Sequence, residues 1–220
     1  MNGQRLRRLC ACALYLLVAA AAAAGIAIEC AHAPRPWRVF TYFTVLVNAA
    51  VAVTSALSAL RTARRRPPLP TLVTGAVLLS IVVTGLIYHA VLANDSSGFS
   101  QTEGISVRGG WLALSNQLLH TVTPIAVPAL WLLAAPPGRF RWSFAHQWLA
   151  VPLAYFVFAL TRGAVISPPD RYPYPFLDVD QHGYAGVLVS AVVIGALFYG
   201  LGLLLVAADR HRPAGPLASP

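Results

Sequence analysis

The stretch WLALSNQLLHTVTPIAVPALWLLAA, residues 111–135, contains no Asp, Glu, Lys or Arg, yet its first half carries Ser115, Asn116, Gln117, His120, Thr121 and Thr123. As a helix at ~1.5 Å per residue it is about 37 Å long, enough to cross the ~30 Å hydrocarbon core of a bilayer. Whether it lies in lipid or in the core of a soluble protein decides the fold, and composition favours lipid. Over 220 residues the chain is 57% hydrophobic and 10% charged, where soluble domains have roughly 25% charged. That is too little charge to cover a soluble surface of this size. The stretch therefore reads as a membrane helix whose polar groups need partners inside a bundle.

Apolar runs near the ~20-residue spanning length occur at Leu6 to Ile28, Val39 to Leu60, Leu69 to Ala93, Trp111 to Ala135, Phe144 to Ile166 and Tyr184 to Ala208. Arg, Pro, Gly and acidic clusters separate them. The expected fold is an all-α membrane protein, a six-transmembrane-helix bundle with both termini cytoplasmic. Residues 1–210 would form a single domain and residues 211–220 a short cytoplasmic tail. Arg5, Arg7 and Arg8 before the first run, and Ala31-His32-Ala33 after it, also fit a secretory signal with an A-x-A cleavage site. The run is longer than the ~7–15 residues of a signal h-region, however, and Pro34 would follow the cut, so we read an uncleaved helix.

All sixteen basic residues are arginine, and the formal charge is +9. They cluster between apolar runs instead of forming a face interleaved with aromatics, which argues against nucleic acid as a partner. With the N-terminus inside, Arg5, Arg7, Arg8, Arg61, Arg64, Arg65, Arg66, Arg139, Arg141, Arg210 and Arg212 are cytoplasmic, and only Arg35, Arg38, Arg108, Arg162 and Arg171 are outside. The positive-inside rule then places both termini in the cytoplasm. The acids Glu29, Asp95, Glu103, Asp170, Asp178 and Asp180 fall outside and Asp209 inside. Arginine without lysine and the richness in alanine suggest a bacterial plasma-membrane protein. Cys10, Cys12 and Cys30 supply no disulfide framework and no metal-ligand spacing. With no Gly-rich phosphate loop, His-Glu-x-x-His or Gly-x-Ser-x-Gly present, no metal or cofactor is expected.

The polar residues inside the spans share a depth. At ~1.5 Å per residue, Thr44 lies ~9 Å below Arg38, His120 ~13 Å below Trp111 and His89 ~8 Å below Asn94, all in the outer half of the membrane. Thr44 and Asn48, and Asn116 and His120, are pairs four apart and so share a helix face, with Thr41 three residues before Thr44. Ionisable groups in spans usually face a bundle interior or a cavity, which suggests an outward-opening polar pocket. Packing offers the plainer alternative, since such residues also serve as interhelical glue at ~0.6 kcal/mol each. The connection RYPYPFLDVDQHGY, residues 171–184, alternates rings with prolines and so resists forming an ordinary helix. With Tyr172, Tyr174, Pro175 and Phe176 it reads as a lid over the pocket, and Asp178 or Asp180 would orient a histidine at the mouth; an interfacial anchor is the alternative.

YFTVLVN, NQLLHTVTP and YPYPFLD occur in that order in a six-span chain. Together they resemble the androgen-induced and androgen-dependent TFPI-regulating protein family and its bacterial relatives, the Pr-six-Pr membrane proteins, from about Phe40 to Ala208. The resemblance implies a lipid ester hydrolase, since eukaryotic members cleave fatty acid esters of hydroxy fatty acids with a threonine nucleophile and a histidine. Carried over by motif, these are Thr44 and His120, and the aromatic-proline stretch ending in an acid is Tyr174-Pro175-Phe176-Leu177-Asp178; depth and helix face add Thr41 as alternative nucleophile and Asn48, His89, Asn116 and Asp178 as supporting residues. The chain departs from the eukaryotic pattern in two places. It reads Val45-Leu46-Val47-Asn48 where an acid follows the threonine, and Gln117 where a further histidine precedes the catalytic one.

A threonine hydroxyl needs an adjacent base, and a neutral imidazole within ~3 Å supplies one. Asn116 or Asp178 would fix its tautomer. The partners would be membrane lipids, with a fatty acyl ester as substrate. Two readings from other classes stand beside this one: a non-catalytic lipid-binding or transport protein, and a b-type haem protein with His89 and His120 as axial ligands.

Overall fold

The structure, a computed structural model, describes residues 3–101, 109–167 and 171–218, and all regular elements among them are helical. Six helices are long and apolar enough to cross a membrane: α1 (Gly3–His32), α2 (Phe43–Ala63), α3 (Thr71–Leu92), α4 (Gly110–Ala134), α5 (Trp142–Val165) and α6 (Val179–His211). They cover the six expected runs with ends shifted by a few residues. Glu103, Arg108 and Asp170, counted above for orientation, lie outside the described residues.

Proline and backbone geometry stop each helix. After α2, the Arg66 N–H reaches back to the Arg61 carbonyl at 2.8 Å with Arg65 at φ 53°, and Pro67, Pro68 and Pro70 prevent continuation. Between α4 and α5, Pro136 and Pro137 lead into Gly138 at φ 71°, a left-handed turn that glycine adopts without strain. Gly183, at φ 63°, kinks α6 after its first turn. Within α5 the helical ladder is interrupted between Gln147 and Ala150. There the Trp148 indole donates to the Leu72 carbonyl at 2.9 Å and lies on Gly75, where a Cβ would be 2.2 Å from the ring.

α3 is the central helix. Half of its most apolar window (50%) is buried, against 17% for α4, α5 and α6. α1 packs along α2, and buried side chains form three clusters, one of them Val18, Ala22, Val47, Val51, Ile81 and Leu130 where α1, α2, α3 and α4 meet. Leu78, Leu79, Phe140, Trp148 and Phe198 fill the end that carries both termini, and Tyr88, Leu92, Tyr174, Phe176 and Leu177 fill the opposite end. Outward-facing side chains such as Leu17, Ile125, Val165 and Leu204 are apolar and exposed.

One buried carboxylate holds the terminal end together. Asp209, 0% exposed, accepts from the backbone N–H groups of Arg139 (2.6 Å) and Phe140 (2.8 Å), and pairs with Arg212 at 3.0 Å. Arg212 also donates to the carbonyls of Ala135 and Pro136 and lies over the Trp131 ring. The expected tail after α6 turns back onto α4, where the Leu217 N–H reaches the Leu133 carbonyl at 2.9 Å. This satisfies one of the carbonyls that a helix C-terminus leaves without an intrahelical donor.

Candidate functional site

At the end of the bundle opposite the termini lies a cavity of about 380 Å³, walled by α2, α3, α5, α6 and the aromatic-proline connection. Most of its lining is apolar, including Phe43, Val83, Ile87, Leu92, Phe156 and Phe198; the hydroxyl-bearing side chains are Thr44, Thr84, Tyr88, Tyr155 and Tyr174. Leu153 of α5 and Leu188 and Val192 of α6 line it and are also exposed, so it reaches the outer surface between those two helices. Phe43 and Tyr155, with ring centroids 5.0 Å apart, separate it from a second apolar groove among α2, α3 and α5.

Thr44 sits in the first turn of α2, where backbone N–H groups have no intrahelical acceptor. The phenol of Tyr174, 130 residues away in sequence, supplies one: its oxygen accepts from the Thr44 N–H at 3.3 Å and lies 3.4 Å from Thr44 Oγ1. Burial pushes the Tyr174 phenol above its ordinary pKa, so it stays neutral and keeps its hydrogen. Tyr174 and Phe176 stack at 5.1 Å and 6° in the cavity wall. The segment forms part of the cavity wall and is pinned in place. Arg162 donates to the Arg171 carbonyl, Arg171 Nε donates to the Gly163 carbonyl at 2.8 Å, and the Tyr172 ring lies where a Cβ on Gly163 would be. Tyr172 and Pro175 themselves do not line the cavity.

Asn48 is fully buried and joins α2 to α4. Its amide donates to the Thr44 carbonyl (2.9 Å) and the Leu119 carbonyl (3.1 Å), and its oxygen accepts from Thr123 Oγ1 at 2.6 Å. Because carbonyls only accept, these partners fix the orientation of the amide. At ~0.6 kcal/mol per interhelical bond, Asn48→Leu is expected to lower stability by about 1–2 kcal/mol, read as a lower melting temperature in detergent; an unchanged melt would contradict this role. The matching depth of α2 and α4 read from sequence is thus realised, with Asn48 as the bridge.

His120 lies in a different cluster, and the reason is Pro124. Proline has no N–H and its ring crowds the carbonyl four residues back, here that of His120. α4 accommodates it by widening one turn to a π-helix over Leu118–Val122, with the Thr123 N–H on the Leu118 carbonyl. Gly85 of α3 allows the close approach, since a Cβ there would be 2.7 Å from Pro124 Cβ. α3 has its own π turn at Tyr88–Leu92. The Tyr88 ring stacks on His120, centroids 4.1 Å apart, and its oxygen accepts from the Asn116 amide. His120 Nδ1 lies 3.1 Å from the Asn116 backbone carbonyl, which only accepts, so Nδ1 carries a hydrogen.

Several expected assignments change. Thr44 and His120 make no hydrogen bond to each other: the hydroxyl meets Tyr174, and His120 packs on Tyr88 and does not line the cavity. Asp178 orients no histidine. One of its oxygens accepts from the N–H groups of Asp180 and Gln181 and the other from the Gln181 side chain, so it caps α6. Asp180 pairs with Arg171. Thr41 is not on the Thr44 face, because α2 starts only at Phe43; its hydroxyl donates to the Arg38 carbonyl at 2.7 Å. Asn116 touches His120 through its backbone, while its side chain serves Tyr88. His89 is exposed, with Nε2 3.1 Å from Thr121 Oγ1. Both histidine rings pack on Tyr88 instead of facing each other across a slot that would admit a haem plane.

Sequence reading passed over Tyr88, although Pro124 four residues after His120 signalled a distorted helix there. It also left Ser115 without a role; its hydroxyl lies 2.7 Å from Glu29 Oε1 and 3.1 Å from the Gly25 carbonyl, tying α4 to α1. Compared with protein-family models, with curated proteins and with solved structures, the chain finds no match.

Proposed function

We propose that this chain is an integral membrane protein of six spans, with both termini cytoplasmic, that takes the acyl chain of a membrane lipid into the cavity and holds the lipid's polar end near Thr44. One observation carries the reading: an apolar cavity with few hydroxyls opens sideways, between α5 and α6, onto a flank that is itself apolar. An acyl chain leaving lipid by that route stays in an apolar medium throughout, so no desolvation opposes entry. The arginine distribution supports the orientation, which puts the cavity in the outer half of the membrane.

A second reading is ester hydrolysis, in line with the resemblance to the androgen-induced and Pr-six-Pr proteins. The observation that favours it is Asn48, whose amide donates to both the Thr44 and the Leu119 carbonyls and so ties α2 to α4 beside Thr44 and His120. In that reaction Thr44 Oγ1 attacks the ester carbonyl carbon while its proton passes to the His120 imidazole. The alcohol departs with that proton, and water then releases the acid from the acyl-threonine. For this to occur the Thr44 hydroxyl must exchange Tyr174 for His120.

The two readings separate in one preparation. Detergent-purified protein is titrated with a fluorescent fatty acid, and separately incubated with a chromogenic acyl ester. Saturable binding is expected in either case, and its absence would sink both readings. If hydrolysis holds, Thr44→Ala abolishes cleavage and His120→Ala slows it about 10²–10⁴-fold with binding kept. Binding without cleavage by the unmodified protein leaves the first reading alone.

A further inference from the structure

We propose that the flank formed by α2, α3 and α5 is a docking site for an anionic phospholipid of the leaflet next to the termini. The headgroup phosphate sits on Arg64, Arg65 and Arg66, and one tail lies in the second apolar groove. This site is separate from the cavity at Thr44 and does not depend on what that cavity holds.

The groove, about 690 Å³, is apolar along its length and polar at one end. From Gln147 to Phe158 it follows α5 for ~16 Å. Leu46 and Phe158 line it and are exposed, so it faces the bilayer. Towards the termini it ends at Leu72, in the first turn of α3, and at Gln147 and Trp148 of α5; the bond from the Trp148 indole to the Leu72 carbonyl holds the two sides together. Gln147 is exposed. The other polar groups of the lining are spent, since Ser80 is buried and the Tyr155 hydroxyl donates to the Thr41 carbonyl at 2.9 Å.

The chain leading into that end is cationic. Arg64, Arg65 and Arg66 are exposed and reach Leu72 through the proline-rich stretch 67–70. Arg61 Nε donates to the Pro67 carbonyl at 2.6 Å, which folds this stretch against the end of α2. Among the described residues none of the three pairs with a carboxylate, and the acid at this end of the bundle, Asp209, is buried against Arg212. The first turns of α3 and α5 contain no acid and no side-chain cap, so their free N–H groups add positive potential at the same mouth. Arg65 stands at φ 53°, in the left-handed region that favours glycine, so the turn keeps a cation where backbone conformation would prefer none. A positive end on an apolar groove matches an amphiphile with an anionic head, because arginines at a membrane surface attract net negative headgroups and not zwitterionic ones.

In the test, tail-labelled fluorescent phosphatidylglycerol is bound to the full-length protein in non-ionic detergent and displaced by unlabelled phosphatidylglycerol or phosphatidylcholine. Phosphatidylglycerol is expected to be the stronger competitor, and added salt to narrow the difference. Arg64→Gln combined with Arg66→Gln should weaken phosphatidylglycerol about twentyfold, at roughly fivefold per arginine, and leave phosphatidylcholine unchanged. Ala154→Phe, at an exposed position of the groove, should weaken phosphatidylglycerol with every arginine intact. Equal competition by the two lipids would overturn the proposal, and so would unchanged affinity in Ala154→Phe. An equal loss in Arg139→Gln combined with Arg210→Gln, two exposed arginines at the Asp209 end of α6, would overturn it as well, because that marks a general surface charge. Melting curves matching the unmodified protein confirm that the variants are folded.

Discussion

Gly195→Phe is expected to lower affinity for an acyl probe about a hundredfold while leaving the protein at least as stable. Gly195 lines the cavity, and a Cβ built there meets nothing within 4 Å, so a side chain enters without displacing backbone. A phenyl ring then takes space that the reading assigns to the ligand. Each buried methylene contributes ~0.8 kcal/mol, so displacing about four costs roughly 3 kcal/mol, and every 1.4 kcal/mol is tenfold in affinity. Removing a glycine from a helix interior favours folding by roughly 0.5–1 kcal/mol, which separates blocked binding from unfolding. Gly200→Phe serves as control: it stands on the same helix, its Cβ position is equally open, and it lies outside the cavity. Unchanged binding in Gly195→Phe, or equal loss in Gly200→Phe, would show that the ligand sits elsewhere.

Asp209→Ala should destabilise the fold more than any change at the cavity, by about 3–5 kcal/mol, the range for breaking one side of a buried ion pair. The carboxylate and the Arg212 guanidinium are 1% and 7% exposed, so water does little to screen their attraction. Removal orphans the N–H groups of Arg139 and Phe140 as well as the Arg212 charge. The 136–141 connection would then be tied to the end of α6 only by the Gly138 N–H on the Asp209 backbone carbonyl and by Arg212 on the Pro136 carbonyl. Thermal unfolding in detergent reads the effect, and a double variant with Arg212→Leu should recover part of it, because no unpaired charge is left behind. A single variant that melts like the parent would refute the role assigned to this cluster.

Particular residues show how far sequence reading reaches. The depth of Thr44, Asn48 and Asn116 followed from counting along helices, and Asn48 does bind both α2 and α4. Depth is a one-dimensional property, and hydrophobic runs define it. Thr41 misled because three-residue spacing implies a common face only if the helix has already begun, and here it begins two residues later. Asp178 misled because an acid two and three residues before free N–H groups is a helix cap, a local bond that wins over a distant histidine. Asp209 looked like an ordinary cytoplasmic acid, and nothing local announced that the 139–140 backbone would close over it.

What the chain determines by itself is the number of long apolar helices, their approximate ends and the level of each polar residue, since hydrophobicity averages over a helix and needs no partner. The tertiary structure decided which polar group meets which: Thr44 with Tyr174, His120 with Tyr88, Asp209 with Arg212 and the 139–140 backbone. Those pairings depend on how each helix is rotated about its axis. Rotation is set where helices come closest, at Gly75 under Trp148 and Gly85 under Pro124. Both glycines matter only because of a ring far away in sequence, so no local pattern encodes them.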